Sequence, residues 1–498
     1  MSTPVQEQTW FGHPRGLFTL FMTEMWERFS YYGIRALLIL YMTAAASEGG
    51  LAFTAEDSGA IYGLYTGAVY LLALWGGWVA DRLMGQQNAV FYGGILIAAG
   101  NFALAMPSTS MFYIGLAVIA IGTGLLKPNV SAIVGELYQG DSGARRDAGF
   151  SIFYMGINVG AFIAPLITGW VAVETSFRPA FAVAGAAIAL GTLQFRFTSR
   201  YLGPAGRDPH PATPQEQKRG WMIFWGGLVA AAIVGALMLT GVFTVDANLL
   251  ATIIGNTIIF LAIVFFGYVL LFANLDRAQK KRVGVIAVFF VAAALFFAGF
   301  EQAGSTFNLF ARDYTDRSLF GSFFDGGQHP AAWYQSVNPI MIILLAPVFA
   351  WFWVFLAKRN LEPSAPAKFA LGLIQLGLGF AVMAIAARIA INAETVLPTW
   401  LLLTYLLHTT AELCLSPIGL SNVTKLAPVG YVGMMMGTWF MGTSLGNLIA
   451  GVIGGHVGGG DIAAMPEQFM TMTWIGVVSG VLLLAATPLL KKMMGGVR

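Results

Sequence analysis

Fourteen apolar runs, each long enough to cross a bilayer, limit what this chain can fold into. They fall at roughly 17–43, 59–80, 89–106, 111–136, 147–172 and 179–195, then 221–243 and 249–272, then 283–310, 335–357, 368–391, 398–427, 430–455 and 468–490. A backbone in hydrocarbon must satisfy its own N–H and C=O groups, so each run is expected to be a helix. The expected class is an all-α polytopic membrane protein. Only 10% of the residues are charged, against about 25% in soluble proteins. Residues 1–16 are short and polar and lead straight into a full-length run, which reads as a first transmembrane helix with no cleavable signal ahead of it.

Charge asymmetry sets the orientation. If the N-terminus is cytoplasmic, 20 of the 27 basic residues fall in inside segments, while Arg178, Arg312, Arg317 and Arg388 fall outside and Arg28, Arg35 and Lys127 lie within runs. That bias places both termini in the cytoplasm. The net charge of +3 is too small and too dispersed for nucleic-acid binding, and the single cysteine, Cys414, excludes an internal disulfide framework.

Ionisable residues inside the runs carry the functional signal. Glu24, Glu27, Arg28 and Arg35 all lie in the first run. Glu24 and Arg28 are i,i+4, Glu24 and Glu27 are i,i+3, and Arg35 is two turns beyond Arg28, so the four can share one face. Lys127 precedes Pro128 in the fourth run, Glu301 lies in the ninth and Glu412 in the twelfth. Pro128 removes a backbone donor, and a bend is expected there. A charge at the bilayer centre costs about 2.5–3.5 kcal/mol on insertion scales. One pair would read as a structural ion pair. Seven groups, basic in balance in the first half and acidic in the second, point instead to a substrate and proton path. Opposed basic and acidic walls suit a zwitterion, its carboxylate toward Arg35 and Lys127 and its amine toward Glu412.

An internal repeat supports a division into six, two and six helices. Tyr154-Met155-Gly156, Gly160 and Ile163-Ala164 are echoed by Phe440-Met441-Gly442, Gly446 and Ile449-Ala450. Leu126-Lys127-Pro128 with Ser131 resembles Leu415-Ser416-Pro417 with Ser421. The expected domains are an N-terminal six-helix bundle (1–200), a linker with two extra transmembrane helices (201–280) and a C-terminal six-helix bundle (281–498). A repeat of this kind places a binding site between the halves near the midplane. The polar stretch 196–220, with Pro204, Pro209, Pro211 and Pro214, closes the first bundle.

These residues carry a family resemblance. Gly76-Gly77-Trp78-Val79-Ala80-Asp81-Arg82-Leu83-Met84-Gly85 resembles the loop motif of the major facilitator superfamily, where Asp81 is suited to a basic partner or a helix N-terminus. Glu24-Met25-Trp26-Glu27-Arg28 resembles the ExxER motif of the proton-dependent oligopeptide transporters, and Phe153 to Gly160 that family's second signature. The resemblance covers both halves, and the two extra helices match bacterial members with fourteen. It implies a major facilitator fold and a symporter, not an enzyme, that imports di- and tripeptides across the inner membrane by alternating access, working as a monomer and using protons but no cofactor. It implies proton coupling by Glu24, Glu27, Arg28, Lys127 and Glu301. It assigns Arg35, Lys127 and Asn158 to the peptide carboxylate and backbone, Asn338 and Glu412 to the amine, and Tyr31, Tyr32, Tyr70, Phe297 and Trp439 to side-chain pockets.

Departures from the pattern are Phe297, where many members have Trp, and Phe300, where some carry a second acid. The second run has no His, so carboxylates must carry the proton. His408, one turn before Glu412, reads more simply as a packed histidine than as a relay. A drug or anion carrier of the same superfamily is the competing transport reading, and the intact ExxER argues against it. Five His without metal-ligand spacing, and the absence of a Walker-type loop, argue against an enzyme or an ATP-driven pump.

Overall fold

The computed structural model describes residues 9–140, 143–209, 213–240, 246–324, 326–428, 430–458 and 462–495. Pro211, the end of the seventh run at 241–243 and Arg498 lie outside the described residues. A two-residue hairpin pairs Thr9–Trp10 with His13–Pro14. The helices follow: α1 (Arg15–Thr43), α2 (Ala55–Val79), α3 (Gln86–Leu104), α4 (Thr109–Leu137), α5 (Gly143–Glu174), α6 (Phe177–Thr198), α7 (Pro214–Leu239), α8 (Ala247–Phe272), α9 (Arg277–Phe300), α10 (Thr306–Asp313), α11 (Val337–Lys358), α12 (Ala365–Ala393), α13 (Thr399–Leu426), α14 (Val432–Gly458) and α15 (Met465–Met494). All but α10 correspond to one of the fourteen runs. Eleven spans among the described residues are long and apolar enough to cross a membrane on hydropathy alone. The three other long helices are α1, α3 and α14, and α1 carries the row of charges.

Two local departures from simple helices matter. Pro128 sits inside α4, which continues past it to Leu137. The ninth run breaks: α9 ends at Phe300, Glu301–Gly304 is a 3-10 turn, and α10 begins at Thr306. The sequence suggested one helix there, and the break leaves Glu301 on the interrupting turn.

Packing divides the chain into two compact units, Met1–Leu37 with Leu71–Asp246, and Leu38–Tyr70 with Ala247–Arg498. In the first, α3 and α4 approach at two glycine pairs. A Cβ on Gly93 would lie 2.7 Å from the Gly122 carbonyl, and one on Gly100 would lie 2.8 Å from that of Gly115. Both pairs are seven residues apart and run in opposite order, as antiparallel helices in van der Waals contact require. In the second unit, Gly59 and Gly63 of α2 lie against Gly451 of α14. Of the two extra helices, α7 belongs to the first unit and α8 to the second, where Gly255 faces Leu448.

Candidate functional site

On α1 the predicted face forms. Glu24, Glu27 and Arg28 are only 2%, 1% and 3% exposed. Arg28 Nε lies 3.2 Å from Glu24 Oε1, and the same guanidinium donates to Glu27. One cation is thus shared by two buried carboxylates. Lys127, half-buried on α4, is close enough for its charge to act on Glu24. With both cations counted, the two acids and two bases balance.

The position of this cluster follows from the fifth helix. A Cβ at Gly156 would lie 3.0 Å from the Phe21 carbonyl, and one at Gly160 would collide with the Met25 carbonyl and sit 3.0 Å from Arg28 Cβ. Both indices rise by four, so α5 runs parallel to α1, with Gly160 set directly against Arg28. Asn158 lies between these glycines, buried, with its amide donating to its own helix at the Tyr154 carbonyl (3.0 Å).

Beyond Arg28 the same helix turns aromatic. Tyr31 and Tyr32 meet edge to face at 5.3 Å; Arg28 lies over the Tyr31 ring at 5.1 Å and Arg35 over Tyr32 at 5.6 Å. Both are cation–π contacts, the cation held over the face of the ring.

In the second unit, Asn338 on α11 donates to Glu412 Oε2 and to Thr409 Oγ1, each at 3.0 Å. This ties the two predicted amine-side residues together and adds Thr409, which sequence reasoning missed. Its i,i+3 spacing to Glu412 was the available signal. Glu301 is buried at the helix break. Phe297 packs edge-on against Phe296 and Phe300, and a Cβ at Gly446 of α14 would meet its Cβ at 2.6 Å. Trp439 is 7% exposed, with its ring over Gly419 and edge-on to Phe369. Tyr70 is half-buried on α2. His408 is buried, with its Nε2 3.1 Å from the Leu376 carbonyl and its ring among Phe307 and Phe380. It is a packed histidine.

Among the described residues, Asp81 accepts from Gln86 (3.5 Å), at the start of α3, and from no basic side chain. Lys368, the first residue of the eleventh run, lies in the first turn of α12, buried, 2.7 Å from Glu362 and over the Trp353 ring.

Comparison with known proteins agrees with this geometry. A family model described as POT family matches residues 87–475. Peptide transporter YePEPT of Yersinia enterocolitica subsp. palearctica is 42% identical, over 98% of this chain and 96% of that protein. A di-/tripeptide transporter of Lactococcus lactis subsp. lactis is 35% identical over 99% of each chain. The crystal structure of a POT family transporter in complex with a thioalcohol-conjugated peptide superposes with a TM-score of 0.88 at 31% identity, covering 97% of this chain and 98% of that one. With its α1 charge cluster, its glycine-packed fifth helix and matches that span nearly its full length, the chain belongs to the POT family.

Proposed function

We propose that the chain is a proton-coupled symporter that imports di- and tripeptides across the cytoplasmic membrane by alternating access, with both termini in the cytoplasm. The observation that carries this reading is the single Arg28 guanidinium shared by two buried carboxylates, with Lys127 acting on one of them. Protonation of Glu24 or Glu27 releases Arg28 or Lys127, and Glu301 serves as a further proton-responsive acid. No cofactor is called for; the proton is the coupling ion.

The peptide carboxylate is taken by Arg35 and Lys127, with Asn158 at its backbone. Its amine is taken by Glu412, which Asn338 holds in place. Tyr31, Tyr32, Tyr70, Phe297 and Trp439 form the surroundings of its side chains. The helices of 1–200 and 281–498 act as the two bundles of the transport cycle, and one chain is the working unit. The peptide-transporter relatives and the peptide-bound family structure support the substrate class. Each inward proton supplies about 2.3 kcal/mol per 100 mV, enough for roughly 50-fold accumulation.

The test is uptake of a labelled dipeptide into vesicles carrying the purified chain. An imposed inward proton gradient should drive accumulation that tripeptides compete away and free amino acids and nitrate do not. Glu27→Gln should abolish gradient-driven accumulation while leaving exchange of peptide for peptide. Intact accumulation in that variant would refute the coupling assignment.

A further inference from the structure

We propose that the chain carries a binding site for the phosphate-bearing headgroup of an anionic phospholipid, in a cleft where α7 docks beside the end of α2. The placement of this cleft at the cytoplasmic face rests on the orientation read from the charge bias. It is otherwise independent of the transport site.

The cleft has a volume of about 160 Å³ and is lined by Trp78, Arg82, Glu216, Arg219, Gly220 and Ile223. Two local features create it. The end of α2 widens into a five-residue π-helical turn, Ala80–Met84, which buries Leu83 and leaves Arg82 exposed. Such bulges re-aim side chains and mark functional sites more often than regular helix does. Opposite it, Gly220 is buried, and a Cβ there would lie 2.6 Å from the Leu83 side chain, so α7 comes in close and its first turns overhang the bulge.

Charge and surroundings name the occupant. Among the described residues, neither Arg82 nor Arg219 has a hydrogen bond or ion pair. Glu216 is held chiefly at the start of α7, where its Oε2 accepts the N–H and the hydroxyl of Thr213, both at 2.9 Å, and the Arg82 charge also acts on it. Two guanidinium groups face one carboxylate, which leaves a net positive cleft with planar donors suited to a phosphodiester.

The cleft also lies at headgroup level. Trp75 stacks on Phe224 at 5.5 Å and 9°, Trp221 and Trp225 flank that ring, and indoles of this kind gather at the membrane–water interface. One turn beyond Arg219, Met222, Ile223 and Trp225 are 62%, 55% and 56% exposed on an apolar helix, a surface for acyl chains. Basic pockets between helix ends on this side of a membrane take anionic headgroups.

The experiment is native mass spectrometry of the purified full chain in detergent, titrated with phosphatidylglycerol, phosphatidylcholine or inorganic phosphate. Phosphatidylglycerol should bind with defined stoichiometry and more tightly than phosphatidylcholine. Arg82→Gln with Arg219→Gln should weaken it about 25-fold, roughly fivefold per basic side chain near a membrane surface, without altering phosphatidylcholine binding. Glu216→Gln should tighten it. If the double variant does not fold, the Glu216→Gln result decides: tighter binding supports the site and unchanged binding overturns it. Equal binding of the two lipids, or full retention of phosphatidylglycerol by the double variant, also overturns it. Displacement of phosphatidylglycerol by equimolar inorganic phosphate would assign the cleft to a soluble anion and refute the lipid.

Discussion

The helix pairs α1–α5 and α9–α14 are built the same way and used differently. In each, two glycines four residues apart on the later helix press against the backbone of the earlier one. Gly156 and Gly160 meet Phe21 and Met25; Gly442 and Gly446 meet Phe290 and Ala294. The repeat seen in the sequence is therefore a packing device, present in both units. What sits on the packed surface differs. Against Gly160 stands Arg28, holding two carboxylates. Against Gly446 stands Phe297, edge-on to Phe296 and Phe300, and the acid of that helix, Glu301, is displaced to the turn where α9 stops. The shared geometry supplies close helix contact, while the chemistry depends on which side chains the contact clamps.

The contrast is broken most severely by removing the shared cation. Arg28→Met leaves two buried carboxylates, Glu24 and Glu27, with Lys127 as their remaining cation, and a loss of about 3–5 kcal/mol is expected. The check is thermal unfolding in detergent at pH 7 and again under acid, where protonated carboxylates should restore part of the loss. Next come Gly160→Val and Gly446→Val, each expected to cost about 1–3 kcal/mol by overpacking. Thermal melting should show similar shifts for both. Gly160→Val alone should also uncouple uptake from the proton gradient, because it pushes on Arg28. Equal uncoupling by both would mean that coupling depends on the packing the pairs share and not on the charge that sets them apart.

A smaller effect is expected at Asn338→Ala, which removes one donor from Glu412. The Michaelis constant for dipeptide should rise by about tenfold, as for loss of a hydrogen bond to a charged group, with maximal rate little changed. The smallest effect concerns the loop after α10, where burial holds His329 below its ordinary pKa of 6.5, against a hydrogen bond to the Arg317 backbone that favours the charged ring. The unfolded loop takes up a proton that the folded loop resists, so its stability falls as pH drops below that ordinary value. His329→Gln should flatten this dependence, read by hydrogen exchange across residues 317–329 at about pH 5 and 7.

Much of the site was legible in the sequence because intramembrane charges are costly and therefore rare. Glu24, Glu27 and Arg28 stood out against their apolar surroundings, and helical spacing alone put them on one face. Thr409 did not stand out, since a threonine in a membrane helix is ordinary until a partner such as Asn338 reaches it across from another helix.

The sequence by itself determined that fourteen segments are helices, because a backbone in hydrocarbon has no other way to satisfy its polar groups along a single span. It also determined which of them carry charge. Only the tertiary structure decided that Arg28 serves two acids at once, that the ninth run breaks at Glu301, that Asn338 belongs to Glu412 and that the π-helical turn after α2 opens a basic cleft. Each of these depends on how closely two helices approach and at what register. Those quantities are set by packing between segments far apart in the chain, which the periodicity within any one segment does not contain.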